Sequence, residues 1–284
     1  MTIAEKLNAL RPEMTRSESQ LMRTILDGYP ISGLCSITEL AQKSGVSTPT
    51  VGRFVQKLGL QGYAQFQSAL REELSEMISD PAAKRNVWKT ELPEEHILTR
   101  YSRQALENQG RSLTDVDLGE FDRFCDLLAD PDRKIVIAGG RITGTLARVL
   151  FLHLQMLRPD VRLMSEGVTW LHDMMDVHDG DILVVFDIRR YENTTLNMAQ
   201  LCHERGAEVV LFTDSWRSPI HAFARLTFSG RVAVPSAWDS IASLLLLVEC
   251  SVASVQERLW ESASARTDAL EAAFDRTRLF RKFT

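Results

Sequence analysis

Two loops hold the residue types that could bind a small anion. In the stretch from Lys134 to Thr143, KIVIAGGRIT, an apolar run breaks at Gly139 and Gly140, and a helix opens near Thr143. A strand, a glycine turn and a helix N-terminus in succession expose backbone N–H groups at the positive end of a helix dipole, where phosphate or carboxylate binds. Glycine lets the backbone turn without a Cβ and come close to a ligand. The second loop, after another apolar run, reads Asp187, Ile188, Arg189, Arg190, Tyr191, Glu192, Asn193, Thr194. Together the loops offer the guanidinium groups of Arg141, Arg189 and Arg190, each able to fork onto a phosphate or carboxylate. The alternative is that Arg189 or Arg190 pairs with Asp187 or Glu192 and only braces the loop. The candidate effector contacts are therefore Gly139, Gly140, Arg141 and Thr143 in the first loop, and Arg189, Arg190, Tyr191 and Thr194 in the second. Glu166 joins them from the end of an intervening strand.

Reaction chemistry is poorly provided for. An aldose–ketose isomerase needs a positioned base, and Glu166, His172 and His178 are the nearby candidates. Isolated histidines beside helices more often serve as hydrogen-bonded scaffold, so no catalytic residue is assigned. GGRITG fits the GxGxxG dinucleotide turn badly even with Glu166 as a ribose-binding acid. The six histidines show no metal-ligand spacing, and the four cysteines form no CxxC pair. No cofactor and no metal is expected.

A different chemistry is offered near the N-terminus. Val51, Phe54, Val55 and Leu58 recur at i, i+3, i+4 and i+7, so a helix starting at Ser47 buries one face. Its other face carries Thr50, Arg53, Gln56 and Lys57. Between Leu40 and Arg71 the charged residues are Lys43, Arg53, Lys57 and Arg71, with no acid among them. This basic face persists in a chain of net charge -5. Ser47, Thr48, Thr50 and Arg53 would meet base edges or flanking phosphates in the major groove, and Lys57 would lie along the backbone. The bland alternative is an ordinary helical unit with solvated cations.

The elements that position these residues are readable. Thr15 and Glu18 have capping-box spacing before Leu21, Met22, Ile25 and Leu26, and Ser36 and Glu39 repeat it before Leu40 and Ala41. Ala41, Gly45 and Val51 supply the small contact residue, the turn glycine and the apolar anchor of a helix-turn-helix. A fourth helix continues through Phe66, Leu70 and Leu74 to Ile78. Residues 1–78 thus form a helical DNA-binding domain. Residues 79–93, with prolines at both ends, read as a linker, and residues 94–284 as the second domain. There, two helices (94–113 and 118–129) precede alternating elements: strands near 135–138, 161–164, 182–186, 208–212 and 226–228, and helices near 143–157, 168–175 and 194–205. Near-continuous apolar strands between amphipathic helices call for a parallel sheet covered on both faces. A final helix over 236–274, very apolar from Ile241 to Val255, must be covered by the sheet or by a second subunit. The longest apolar run, Ile241 to Val248, is far short of the roughly 20 residues of a membrane span, and the first residues lack a secretion signal. A cytoplasmic protein is expected.

The order of parts, together with SGVSTPTVGRFVQKLGLQGYAQFQ and GAEVVLFTDSWRSP, resembles the RpiR/MurR family of bacterial transcriptional regulators. That resemblance implies an all-α helix-turn-helix domain followed by an α/β flavodoxin-like SIS (sugar-isomerase-type) domain with a five-stranded parallel sheet. It also implies operator DNA as partner, a homodimer or homotetramer, and a small anionic metabolite such as a phosphosugar or sugar acid as effector. SIS domains that bind sugar phosphates carry a serine in the first glycine turn and a Ser-x-Ser-Gly-x-Thr loop after the third strand. Here most of those hydroxyls are missing. The rival expectation is a sugar-phosphate isomerase that kept an accessory helical domain.

Overall fold

The computed structural model describes residues 2–27, 29–78 and 95–281. One compact unit extends to His96 and a second begins at Ile97. The expected linker, 79–93, lies outside the described residues.

The first unit is helical: α1 Ile3–Leu10, α2 Arg16–Leu26, α3 Ile37–Lys43, α4 Thr48–Lys57 and α5 Tyr63–Ile78. α1 has no counterpart among the sequence expectations. It is held by a reciprocal capping box between Thr2 and Glu5 and buries Ile3, Ala4 and Leu7. The Thr15–Glu18 box forms as expected. The Ser36–Glu39 box forms only by half, because Ser36 caps the Glu39 amide while the Glu39 carboxylate pairs with Lys43 one turn on, at 2.9 Å. Leu21, Ile25, Leu40, Val51, Phe54, Val55, Phe66 and Leu70 close a single core. Each such side chain contributes roughly 1.5–3 kcal/mol of transfer free energy.

The second unit opens with α6 Ile97–Thr114 and α7 Leu118–Ala129 and then alternates. Its elements are β1 Ile135–Gly139, α8 Gly144–Leu157, β2 Val161–Leu163, α9 Trp170–Met175, β3 Ile182–Phe186, α10 Asn193–Glu204, β4 Glu208–Asp214, β5 Leu226–Gly230 and α11 Ala242–Thr277. The five strands are parallel in the order β2-β1-β3-β4-β5. Because successive strand residues face opposite sides, Ile135, Ile137, Val184, Phe186, Val210 and Phe212 enter one core with α7, α8 and α11. Val136, Ala138, Leu183, Val185, Val209 and Leu211 enter the other with α9 and α10. Two buried faces explain the unbroken apolar runs.

The last helix starts later than its hydropathy suggests. Asp239 turns back to Arg189, and the Ser240 N–H bonds to Val232 O at 2.8 Å, so the chain reaches helical geometry only at Ala242. Its apolar stretch is covered within the domain: Leu244, Leu247, Val248 and Val255 pack into the core with α7 and α8. No described helix is long and apolar enough to cross a membrane.

Candidate functional site

The helix-turn-helix is built from α3, a short turn and α4. Gly45 adopts φ +63°, and the amides of Gly45 and Val46 bond back to Gln42 O (3.2 Å) and Ala41 O (3.0 Å). Only glycine takes that conformation without strain, and the bonds satisfy carbonyls at the end of α3. Ser47 caps α4 by accepting from the Thr50 amide, and its hydroxyl lies 2.8 Å from the Thr50 hydroxyl, so both hydroxyls begin as cap partners. Thr48 is half-buried in the first turn, while Arg53 is exposed on the opposite side from Val51, Phe54 and Val55. Lys57 is tied down: its Nζ lies 3.2 Å from the Glu18 carboxylate and 2.9 Å from Glu13 O. It therefore fastens α4 to the capping box of α2, an ion pair that sequence spacing could not reveal.

In the α/β unit the strand order reverses between β1 and β3, and the loops after these strands meet at the carboxyl edge. Ligands of open α/β sheets bind at such a crevice. Thr143 joins the two loops directly, accepting from the Gly140 N–H and donating to Phe186 O, both at 2.8 Å. Its buried hydroxyl serves both bonds and so acts as scaffold between the loops.

The β3–α10 loop is held from the far side. Asp214, wholly buried at the end of β4, accepts from the Arg189 N–H (2.6 Å), the Tyr191 hydroxyl (2.8 Å) and the Trp216 N–H (2.9 Å). Burial pushes its pKa up, opposed by these bonds and the Arg189 charge. Burial and the Asp214 charge push the Tyr191 hydroxyl up as well, keeping it a donor. Arg189 lies over the Trp216 ring at 4.1 Å and pairs with Asp239 at 2.7 Å, its side chain only 4% exposed. Between these clamped neighbours, Arg190 takes φ +62° and is exposed. Asp187 accepts from the Ser218 hydroxyl at 2.5 Å and the Glu192 N–H at 3.4 Å, and burial raises its pKa to about 7. Ser218 N in turn donates to the Thr213 hydroxyl at 3.0 Å. The residues Thr213, Asp214 and Ser218 thus form the bracket that shapes this loop.

A cavity of about 380 Å³ opens beside β1, between the glycine turn, the segment after β2 and the start of α10. Of the expected effector residues it gathers Gly139, Gly140, Arg141, Glu166 and Thr194. Arg189, Arg190, Tyr191 and Thr143 are not among its lining residues, for the reasons just given. Of the three guanidinium groups, the one that lines this cavity is that of Arg141. The sequence reading missed the wall formed by Met164, Trp170 and Met198, which come from a short segment and two helices with no polar signature. It also missed Glu192 as a pocket residue: its carboxylate accepts the Arg141 N–H at 2.9 Å and lies 3.9 Å from Arg141 Nε. Neither His172 nor His178 lines the cavity. Among the described residues no cluster of three or more His, Cys, Asp or Glu could hold a metal.

Comparison with known proteins agrees with both units. Residues 1–77 match the helix-turn-helix domain of the rpiR family, and residues 127–254 match the SIS domain. The chain belongs to the rpiR family. HexR, an HTH-type transcriptional regulator of Escherichia coli (strain K12), is 24% identical over 219 residues, which is 76% of this chain and 73% of that protein. The sugar isomerase domain of an RpiR transcription factor from Sphaerobacter thermophilus superposes with a TM-score of 0.58 at 20% identity, covering 63% of this regulator and 99% of that chain. The Vibrio vulnificus NanR protein complexed with ManNAc-6P gives 0.57 at 16% identity, covering 98% and 99%. At such identities these two likenesses establish the fold of this rpiR-type chain, a helix-turn-helix followed by a SIS domain.

Proposed function

We propose that this transcriptional regulator binds operator DNA through α4 and that the cavity beside β1 receives a small sugar-type metabolite whose binding changes operator affinity. The observation that carries the reading is one chain joining a helix whose charged residues, Arg53 and Lys57, are both basic to a cavity at the sheet edge where strand order reverses. Arg53 contacts base edges or phosphates from the outer face of α4, with Thr48, Thr50 and Ser47 at the helix start. Lys57 orients the helix and adds positive potential. Two copies would present their heads to half-sites about 34 Å apart, one helical turn of DNA. The likeness to NanR, complexed with ManNAc-6P, supports a sugar-type ligand. A regulator of this kind works in the cytoplasm.

The test is retention of the protein's own upstream DNA in a gel-shift assay. Binding is expected to weaken steeply as salt rises, since phosphate contacts release counterions. Arg53→Ala is expected to cost about 1–3 kcal/mol, roughly 5–150-fold. No retention at low ionic strength, or an Arg53→Ala variant that binds like wild type, would refute the assignment.

A further inference from the structure

A second cavity of about 380 Å³ lies between β2, the start of β1 and the end of α9. It reaches Lys134, Asp160 and Asp181, which immediately precede β1, β2 and β3, so it opens toward the amino edge of the sheet, away from the glycine turn. Its floor is apolar: Val136, Met164 and Val177 are buried and belong to the core beneath α9.

One charged side chain in this lining is itself buried. Asp181 is 7% exposed, and its Oδ2 accepts the His178 N–H at 2.9 Å. Its Oδ1 makes no hydrogen bond among the described residues, and none of their Lys, Arg or His side chains forms an ion pair with it. Buried charges are ordinarily paired. Here the missing partner has a cavity in which to sit. The rest of the lining favours the same sign of ligand, because Asp160, Asp173 and Asp176 join Asp181 against only Lys134 and Arg162. Arg162 is already held by Asp176 at 2.9 Å, and Lys134 is exposed. An ionised carboxylate only accepts, so the ligand atom that meets Asp181 must donate. An anion would meet like charge, whereas an ammonium group meets its complement, and the apolar floor suits a hydrocarbon body.

We infer that this cavity is a second binding site, for a small organic cation whose ammonium group pairs with Asp181 while its hydrocarbon part lies on Val136, Met164 and Val177. The test is calorimetry and thermal shift on the full chain with 1,4-diaminobutane and butylamine, and with butane-1,4-diol and butyrate as uncharged and anionic controls. Wild type is expected to bind either amine at one molecule per chain and neither control at the same concentration. At ten times Kd the thermal midpoint of the α/β unit should rise by about 3–6 °C. Asp181→Asn keeps an acceptor for the His178 N–H and removes the charge; it is expected to weaken amine binding at least about tenfold while its circular dichroism is unchanged. Asp160→Asn combined with Asp176→Asn, both at exposed rim positions, is the second variant and should weaken it severalfold. No heat and no midpoint shift with either amine at millimolar concentration would overturn the inference. So would diol binding as tight as diamine binding, or amine affinity that neither variant reduces.

Discussion

Replacing Thr143 with valine should loosen the switch point of the sheet without touching the cavity wall. The hydroxyl bridges the Gly140 N–H and Phe186 O, each at 2.8 Å, and the residue is 4% exposed. Valine keeps the shape and strands a buried donor and acceptor, each worth about 1–3 kcal/mol when left unmade. Partial relaxation brings the expected loss to about 2–4 kcal/mol. Thr143→Ser keeps both bonds and removes one methyl group, for about 1 kcal/mol. Urea unfolding followed by the fluorescence of Trp170 and Trp216, both buried in the α/β unit, reads this domain apart from the helical one. A midpoint shift for valine no larger than that for serine would show that the bridge does not hold the two loops together. The claim that Thr143 is scaffold would then fail.

Three further outcomes follow from the same geometry. Gly139→Ala should unfold or strongly destabilise the domain, because its Cβ would lie 2.7–2.8 Å from backbone atoms of Thr143 and Gly144. Gly140→Ala meets only the displaceable Glu192 side chain and should be milder; thermal melts of equal midpoint would refute this ranking. Arg189→Met should cost about 3 kcal/mol or more, since it strips a buried charge pair of one member, while leaving the Kd of any cavity ligand essentially unchanged; a large loss of affinity at unchanged stability would return Arg189 to the ligand site. Asp187 titrates near 7 in the folded chain against an ordinary 3.8, so the folded state holds a proton that the unfolded chain has released. Its contribution is complete below about pH 4 and is lost as pH rises through 7. Asp187→Asn should flatten the fall in stability between about pH 4 and 7, and an unchanged slope would exclude Asp187 as its source.

The framework was legible because its signals are local and repeated. Apolar runs such as Ile135–Ala138 and Ile182–Phe186 are buried on both faces, so hydropathy alone marks them. Ser47, Pro49 and Gly45 punctuate the recognition helix within a few residues of one another. What escaped was short or depended on distant partners. α1 has eight residues, about two turns, and buries only Ile3, Ala4 and Leu7, too short a run for periodicity to stand out. The start of α11 was misplaced because Asp239 and Ser240 answer to Arg189 and Val232, which hydropathy does not record.

The loop after β3 shows why residue type alone does not say which side chains reach the cavity. Arg189, Arg190 and Glu192 are near neighbours in sequence, yet they serve three different environments. Asp214 pulls the Arg189 amide and the Tyr191 hydroxyl toward β4, which sends the Arg189 side chain across Trp216 to Asp239. The left-handed turn at Arg190 then reverses the chain and leaves that side chain in solvent. Glu192, the next residue but one, is delivered to the opposite side, onto Gly140 and the Arg141 amide. A loop rich in arginine therefore presents a carboxylate to the cavity. The buried cation is spent on holding the loop, while the carboxylate of Glu192 joins the exposed Arg141 in lining the cavity.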